Sequence, residues 1–149
     1  MRAVVQRVSE AEVKVNNEIV GKINKGLLIL LGVEKGDDKK DLSYIEDKIC
    51  NLRIFEDENE KMNLSLKDID GELLIVPQFT LQGDARKGRR PSFIKAEDPN
   101  IAENYYEELI TNCKNHIKKV QGGSFGDDMK VNLINDGPVT ILLDSKKLF

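Results

Sequence analysis

Hydrophobic and polar positions change rhythm several times along this chain, and each change marks an element. Val4, Val5 and Val8 open a first strand, over Val4 to Val8. Glu12 to Val15 and Glu18 to Ile23 then flank Asn16-Asn17. Asn tolerates the left-handed backbone that a two-residue hairpin needs, so this stretch predicts a β-hairpin. Leu27 to Leu31 is uniformly apolar and short, as in a strand buried on both faces. A polar break over Gly32 to Lys40 precedes Leu42, Ile45, Ile49 and Leu52, which recur at helical spacing behind a cap at Asp38 or Asp41.

The second half repeats the scheme. Glu56 to Lys61 reads as an exposed loop, and Leu73 to Val76 as a second buried strand that stops at Pro77. Gly83 to Pro91 is a basic loop. Asp98-Pro99 opens a long helix whose apolar stripe runs Ala102, Tyr105, Tyr106, Leu109, Ile110, Cys113, Ile117 and Val120. Lys114, Lys118 and Lys119 suit the negative end of its dipole, and Gly122-Gly123 stops it. Val131 and Leu133 alternate in a further strand. A Gly137-Pro138 turn follows, then a last strand over Val139 to Leu143. The pattern predicts one domain over residues 1–149, of α+β class. A mostly antiparallel or mixed sheet would carry two main helices.

Composition narrows the class without naming a chemistry. Charged residues make up 33% and hydrophobic residues 40% of 149 residues, ordinary for a soluble protein. The longest apolar run, Leu27 to Leu31, is too short to span a bilayer. No signal-peptide core precedes Arg7, so a cytoplasmic chain is expected. The two cysteines, Cys50 and Cys113, fall among apolar neighbours and read as buried free thiols. The net charge is −3, yet Arg86, Lys87, Arg89 and Arg90 crowd into one short loop. Such a loop is either solvated or a phosphate contact.

Familiar catalytic groupings fail. The single histidine, His116, lies within the predicted helix, so no Ser-His or Cys-His relay is available. One His and two separated Cys give no metal-ligand cluster, and no cofactor is expected. Gly122-Gly123-Ser124-Phe125-Gly126 lacks the Lys-Ser/Thr of a nucleotide loop. Asp127-Asp128 and Asp136 read as solvated carboxylates. What remains is Gln78, Phe79 and Thr80 just past a buried strand, and the backbone oddity Gly137-Pro138. Read alone, both are ordinary turns.

Taken together, the ordered motifs resemble the D-aminoacyl-tRNA deacylases over the whole chain. The matching stretches are Ala3 to Val8, Gln78-Phe79-Thr80-Leu81, Arg86-Lys87-Gly88 with Arg90-Pro91-Ser92-Phe93, Phe125-Gly126 with Met129, and Asn135 to Thr140. The resemblance implies a barrel-like fold and a homodimer with no membrane or DNA partner. It implies hydrolysis of the ester joining a D-amino acid to the tRNA 3′ end, and extends to glycyl-tRNA. Gln78, Phe79 and Thr80 would be catalytic. Gly137 and Pro138, joined by a cis bond, would enter the partner subunit's site and reject L-amino acids. Arg7 would fix that motif, Phe125, Gly126 and Met129 would bind substrate, and Arg86, Lys87, Arg89 and Arg90 would meet tRNA phosphates. Two departures stand out: Pro77 replaces the family's Ser, and Asp127 replaces a small residue. A noncatalytic RNA-binding module and a small-ester hydrolase are the alternatives.

Overall fold

Strand β1 runs unbroken from Arg2 to Val15 in the computed structural model, which describes residues 1–149. The two short strands expected there are one, because irregular pairing absorbs the polar interruption at Ser9-Glu10. Its register against the last strand shifts twice, between Gln6 and Val8 and between Val8 and Glu10. Strand β2, Glu18–Ile23, returns through Asn16 and Asn17, whose φ values are 49° and 64°. The hairpin chemistry read from these two Asn is therefore the observed one.

Strand β3, Gly26–Gly32, lies between β1, antiparallel, and β6, Glu72–Pro77, parallel. That central place explains why its residues are nearly all buried. Helix α1, Lys39–Asn51, starts at a capping box: the Asp38 carboxylate accepts from the Lys40 and Asp41 N–H groups, and Asp41 accepts from the Asp38 N–H. Short strands β4, Phe55–Glu56, and β5, Met62–Leu64, form a small hairpin around the expected loop. A 3-10 turn over Phe79–Gln82 follows β6 directly.

Helix α2, Pro99–Cys113, is shorter than its apolar stripe suggests. The chain turns at Asn115 and His116, and Val120–Gly122 forms strand β7, parallel to β6. Ile117 and Val120 are core residues without being helical. A strand end burying the same side chains satisfies the same periodicity for one more turn, so pattern alone overran the boundary. Consequently His116 is not a helix-interior residue, and Gly122 belongs to a strand rather than a helix stop. Lys118 and Lys119 pair with Asp70 at 2.7 Å and Glu72 at 2.8 Å instead of serving a helix end.

The last two expected strands are also one. Strand β8, Lys130–Asp144, pairs with β1 on both sides of Gly137-Pro138. The six-stranded sheet orders as β2-β1-β3-β6-β7 with β8 on β1, and it is mixed. It curls until β2 approaches β7: a Cβ on Gly21 would lie 2.7 Å from the Gly122 carbonyl oxygen. Glycine is what permits this near-closed barrel at that point. The larger apolar cluster fills the space between the sheet and both helices, and a smaller one centred on Val13, Ile23, Leu28 and Leu74 fills the curl. Cys50 and Cys113 are buried and free where α1 and α2 meet. No helix is long and apolar enough to cross a membrane.

Candidate active site

A cavity of about 520 Å³ opens beyond the C-terminal end of β6. Parallel strands commonly present functional groups at that end, where the ladder stops and backbone groups come free. Pro77, Gln78 and Phe79 form one wall. Phe125, Gly126 and Met129, on the segment between β7 and β8, form another, and Tyr106 of α2 closes the back. The lining is mostly apolar, with Glu97, Asp127 and Asp128 at its polar positions.

Several of the sequence-selected residues are thus brought together here, and the reason is topological. The β6–β7 pair ends at Gly122, so Pro77 has no ladder donor to lose there. Gly123 packs on Pro77, where a Cβ would lie 3.4 Å from Pro77 Cδ and 2.7 Å from Met129 Sδ. The Tyr106 hydroxyl lies 3.0 Å from the Ile75 carbonyl and 2.9 Å from the Gly123 carbonyl, and its proton donates to this pair. Burial pushes the Tyr106 phenol well above its ordinary range, so it stays a donor at neutral pH. Periodicity assigns Tyr106 to the helix core, where it lies, and the structure shows that the same side chain also lines the cavity.

At the turn, the Gln78 carboxamide Nε2 donates to Thr80 Oγ1. Phe79 and Thr80 begin the 3-10 turn, and their N–H groups donate to no backbone carbonyl. The Phe79 ring is exposed and meets Phe93 edge-on, with centroids 5.2 Å apart. No base stands beside Thr80: His116 lies elsewhere, with Nε2 3.4 Å from Glu46 at the α1–α2 contact.

The other half of the selected set lies apart. Arg7, Gly137 and Pro138 do not line the cavity, nor does the basic loop, and Thr80 stands just outside it on the turn that follows Phe79. Gly137 and Pro138 are exposed on β8, joined by a cis bond, with Gly137 at φ 125°. Arg7 alone on β1 faces the four residues Asp136 to Val139, because the register jumps from Gln6–Thr140 to Val8–Asn135. Buried to 6% exposure, Arg7 donates to the Asp136 carbonyl at 3.0 Å and the Ile54 carbonyl at 2.8 Å. Asn135 bridges the bulge from the other side: its Oδ1 accepts from the Val139 N–H at 2.9 Å and its Nδ2 donates to Thr140 Oγ1 at 2.9 Å. Asn135 opens the Asn135 to Thr140 motif, and this double contact gives it a structural role in the bulge.

The basic loop is not uniform. Arg86 donates through its side chain and its backbone N–H to Asp84, which holds the Asp84 carboxyl far below the usual carboxylate range. Arg86 therefore folds the loop, while Lys87, Arg89 and Arg90 are exposed and outside any ion pair. Asp127 accepts from the Ser124 hydroxyl.

A model of the family described as D-Tyr-tRNA(Tyr) deacylase matches residues 4–144. The chain is 62% identical over 149 residues to a D-aminoacyl-tRNA deacylase of Thermosipho africanus, covering 100% of each chain. It is 58% identical over 149 residues to one of Clostridium kluyveri, again over 100% of each. Among solved structures, the c-Myc DNA Unwinding Element Binding Protein is 41% identical with a TM-score of 0.92, covering 97% of this chain and 98% of that one. A probable eukaryotic D-amino acid tRNA deacylase shares the fold at a TM-score of 0.81 and 17% identity, over 95% and 97% of the two chains. With the family model and full-length relatives in agreement, the chain belongs to the D-Tyr-tRNA(Tyr) deacylase family.

Proposed function

We propose that this protein is a homodimeric D-aminoacyl-tRNA deacylase that builds its site from main-chain groups of two subunits. The reaction is hydrolysis of the ester at the tRNA 3′ end. Water adds to the carbonyl carbon, the ribose oxygen leaves with a proton, and free D-amino acid and tRNA are released. An aminoacyl ester is already activated, and each tenfold of rate needs only about 1.4 kcal/mol. Positioned water and one oxyanion donor are a sufficient device for such a bond.

The observation that carries this reading is the unpartnered N–H of Phe79 in the wall of a largely apolar cavity, followed in the turn by the equally unpartnered Thr80 N–H. The Phe79 N–H is the oxyanion donor in this scheme. Thr80, already hydrogen-bonded to Gln78, positions substrate rather than attacking it. Phe125, Gly126 and Met129 hold the terminal nucleoside and aminoacyl group, and the free cations Lys87, Arg89 and Arg90 contact acceptor-end phosphates.

Chirality is set by the Gly137-Pro138 segment of the partner subunit. Its exposure, and its absence from the cavity of its own chain, support a role toward a second copy. Main-chain groups placed where an L side chain would project exclude L-amino acids without contacting the D side chain. Many D-amino acids are then accepted, and glycine with them. The deciding experiment compares D-Tyr-, L-Tyr- and Gly-tRNA in single-turnover deacylation. Hydrolysis of D-Tyr- and Gly-tRNA with the L ester spared is expected. Equal hydrolysis of the L ester would remove the exclusion scheme. Binding without hydrolysis would favour a noncatalytic RNA module, and equal hydrolysis of a free D-amino-acid ester a general esterase.

A further inference from the structure

The turn that carries Phe79 and Thr80 is anchored by contacts beyond those just described. The Gln78 N–H donates to the Leu31 carbonyl at 2.7 Å, and Gln82 Nε2 to the Gly32 carbonyl at 2.8 Å. These two contacts press the turn onto the end of β3. A Cβ at Gly32 would meet the Gln78 carbonyl oxygen at 2.9 Å and Leu81 Cβ at 3.0 Å, so the approach is close.

The third anchor comes from another strand. Arg2 of β1 stands opposite Gly32 on one side and Asp144 of β8 on the other. Its Nε donates to Asp144 Oδ2 at 3.0 Å, and its Nη1 donates to the Leu81 carbonyl at 3.0 Å. The Asp144 side chain is 1% exposed, and its Oδ1 is held by the Lys146 N–H at 2.7 Å. One arm of the guanidinium is therefore braced by a buried, immobile carboxylate. The other arm makes a charge-assisted bond to a main-chain oxygen inside the turn. Arg7 holds the Asp136 carbonyl beside Gly137-Pro138 from the same strand. The two arginines of β1 thus fasten the two segments that the proposed mechanism brings together.

We infer that Arg2 is a positioning residue for deacylation: braced by Asp144, it fixes the Leu81 carbonyl and so sets where the Phe79 N–H and the Thr80 hydroxyl meet the ester. This rests on the assignment of those groups made under the proposed function. A displacement of about 1 Å at a reacting centre is enough to cost up to 100-fold in rate, while leaving binding through remote contacts intact. A guanidinium fork reaches two acceptors at fixed spacing, and an ammonium does not.

The test is Arg2→Lys in the full chain, which keeps a cation beside Asp144 and loses the fork. The single-turnover rate on D-Tyr-tRNA should fall at least about tenfold. The substrate concentration for half-maximal rate should stay within about twofold. The melting temperature should hold, and the Phe79 to Gln82 amides should exchange faster with deuterium. A wild-type rate, or a lost rate with unchanged exchange in the turn, overturns the inference. If Arg2→Lys unfolds, Arg2→Met with Asp144→Leu removes both charges together and is read the same way. A folded double variant with wild-type rate likewise overturns it. An inactive wild-type protein would instead sink the assignment of the turn, so the two failures are distinguishable.

Discussion

The Arg7 guanidinium occupies the place where residue 137 would carry a side chain: a Cβ on Gly137 would lie 2.8 Å from Arg7 Nη2. The same Cβ would lie 2.9 Å from Val139 Cγ2, and the backbone sits at φ 125°, a region L residues rarely adopt. Gly137→Ala should therefore strain the bulge by about 1–3 kcal/mol and push Arg7 off the Asp136 carbonyl. Thermal unfolding reads the first effect and single-turnover deacylation the second. An alanine variant with unchanged melting and rate would show that the bulge yields without consequence.

Thr80 receives a hydrogen bond from Gln78 and has no base beside it. Thr80→Ala removes one neutral hydrogen bond, worth about 1 kcal/mol, so the expected loss of rate is about fivefold. A nucleophile would lose orders of magnitude more. Rapid-quench measurement on D-Tyr-tRNA separates these outcomes.

Arg86 and its neighbours should behave differently when neutralised. Loss of Arg86 leaves Asp84 without its partner and loosens the loop. Replacing Lys87, Arg89 and Arg90 by Glu should weaken tRNA binding and flatten its dependence on salt. Each lost phosphate contact should remove about 0.7 from the slope of log affinity against log salt. Filter binding at several ionic strengths checks this, and an unchanged slope would place the phosphates elsewhere.

Acid should destabilise the start of β6, where Glu72 sits. Partial burial works to raise the Glu72 carboxyl, but Lys119 and the Asn24 backbone and amide groups outweigh it and hold the group below 4.5. A carboxyl depressed in the folded state stabilises at any pH above its unfolded value. That contribution is lost as pH falls through the folded value. The midpoint of denaturant unfolding should thus drop below about pH 4.5, and Glu72→Gln should flatten that part of the curve. A parallel decline in wild type and variant would assign the acid response to other groups.

How much of this was legible in advance depended on the kind of signal. The Asn16-Asn17 hairpin, the doubly buried Leu27 to Leu31 strand and the Asp38 cap are local, and each has a backbone reason that a sequence displays. The end of α2 was not legible, because Ile117 and Val120 are buried whether the chain stays helical or enters β7. Gly137-Pro138 looked like a turn between strands, since nothing local shows that β1 pairs with β8 on both sides of it. In the cavity, Phe125 and Met129 came from motif resemblance, whereas Tyr106 was hidden in an apolar stripe. Arg2 and Gln82 carry no local mark at all, for their partners are Leu81, Asp144 and Gly32, brought near only by the finished sheet.

The pairing of β1 with β8 joins residues 2–15 to residues 130–144, nearly the greatest separation the chain allows. Contacts of that range are slow to form, because most of the loop entropy is lost before they give any return. Arg7 cannot grip Asp136, and Arg2 cannot be braced by Asp144, until the final strand has been synthesised and docked. The site is therefore among the last features to mature. On the proposed scheme, a nascent chain would lack both arginine anchors of its site until Asp144 has joined the sheet.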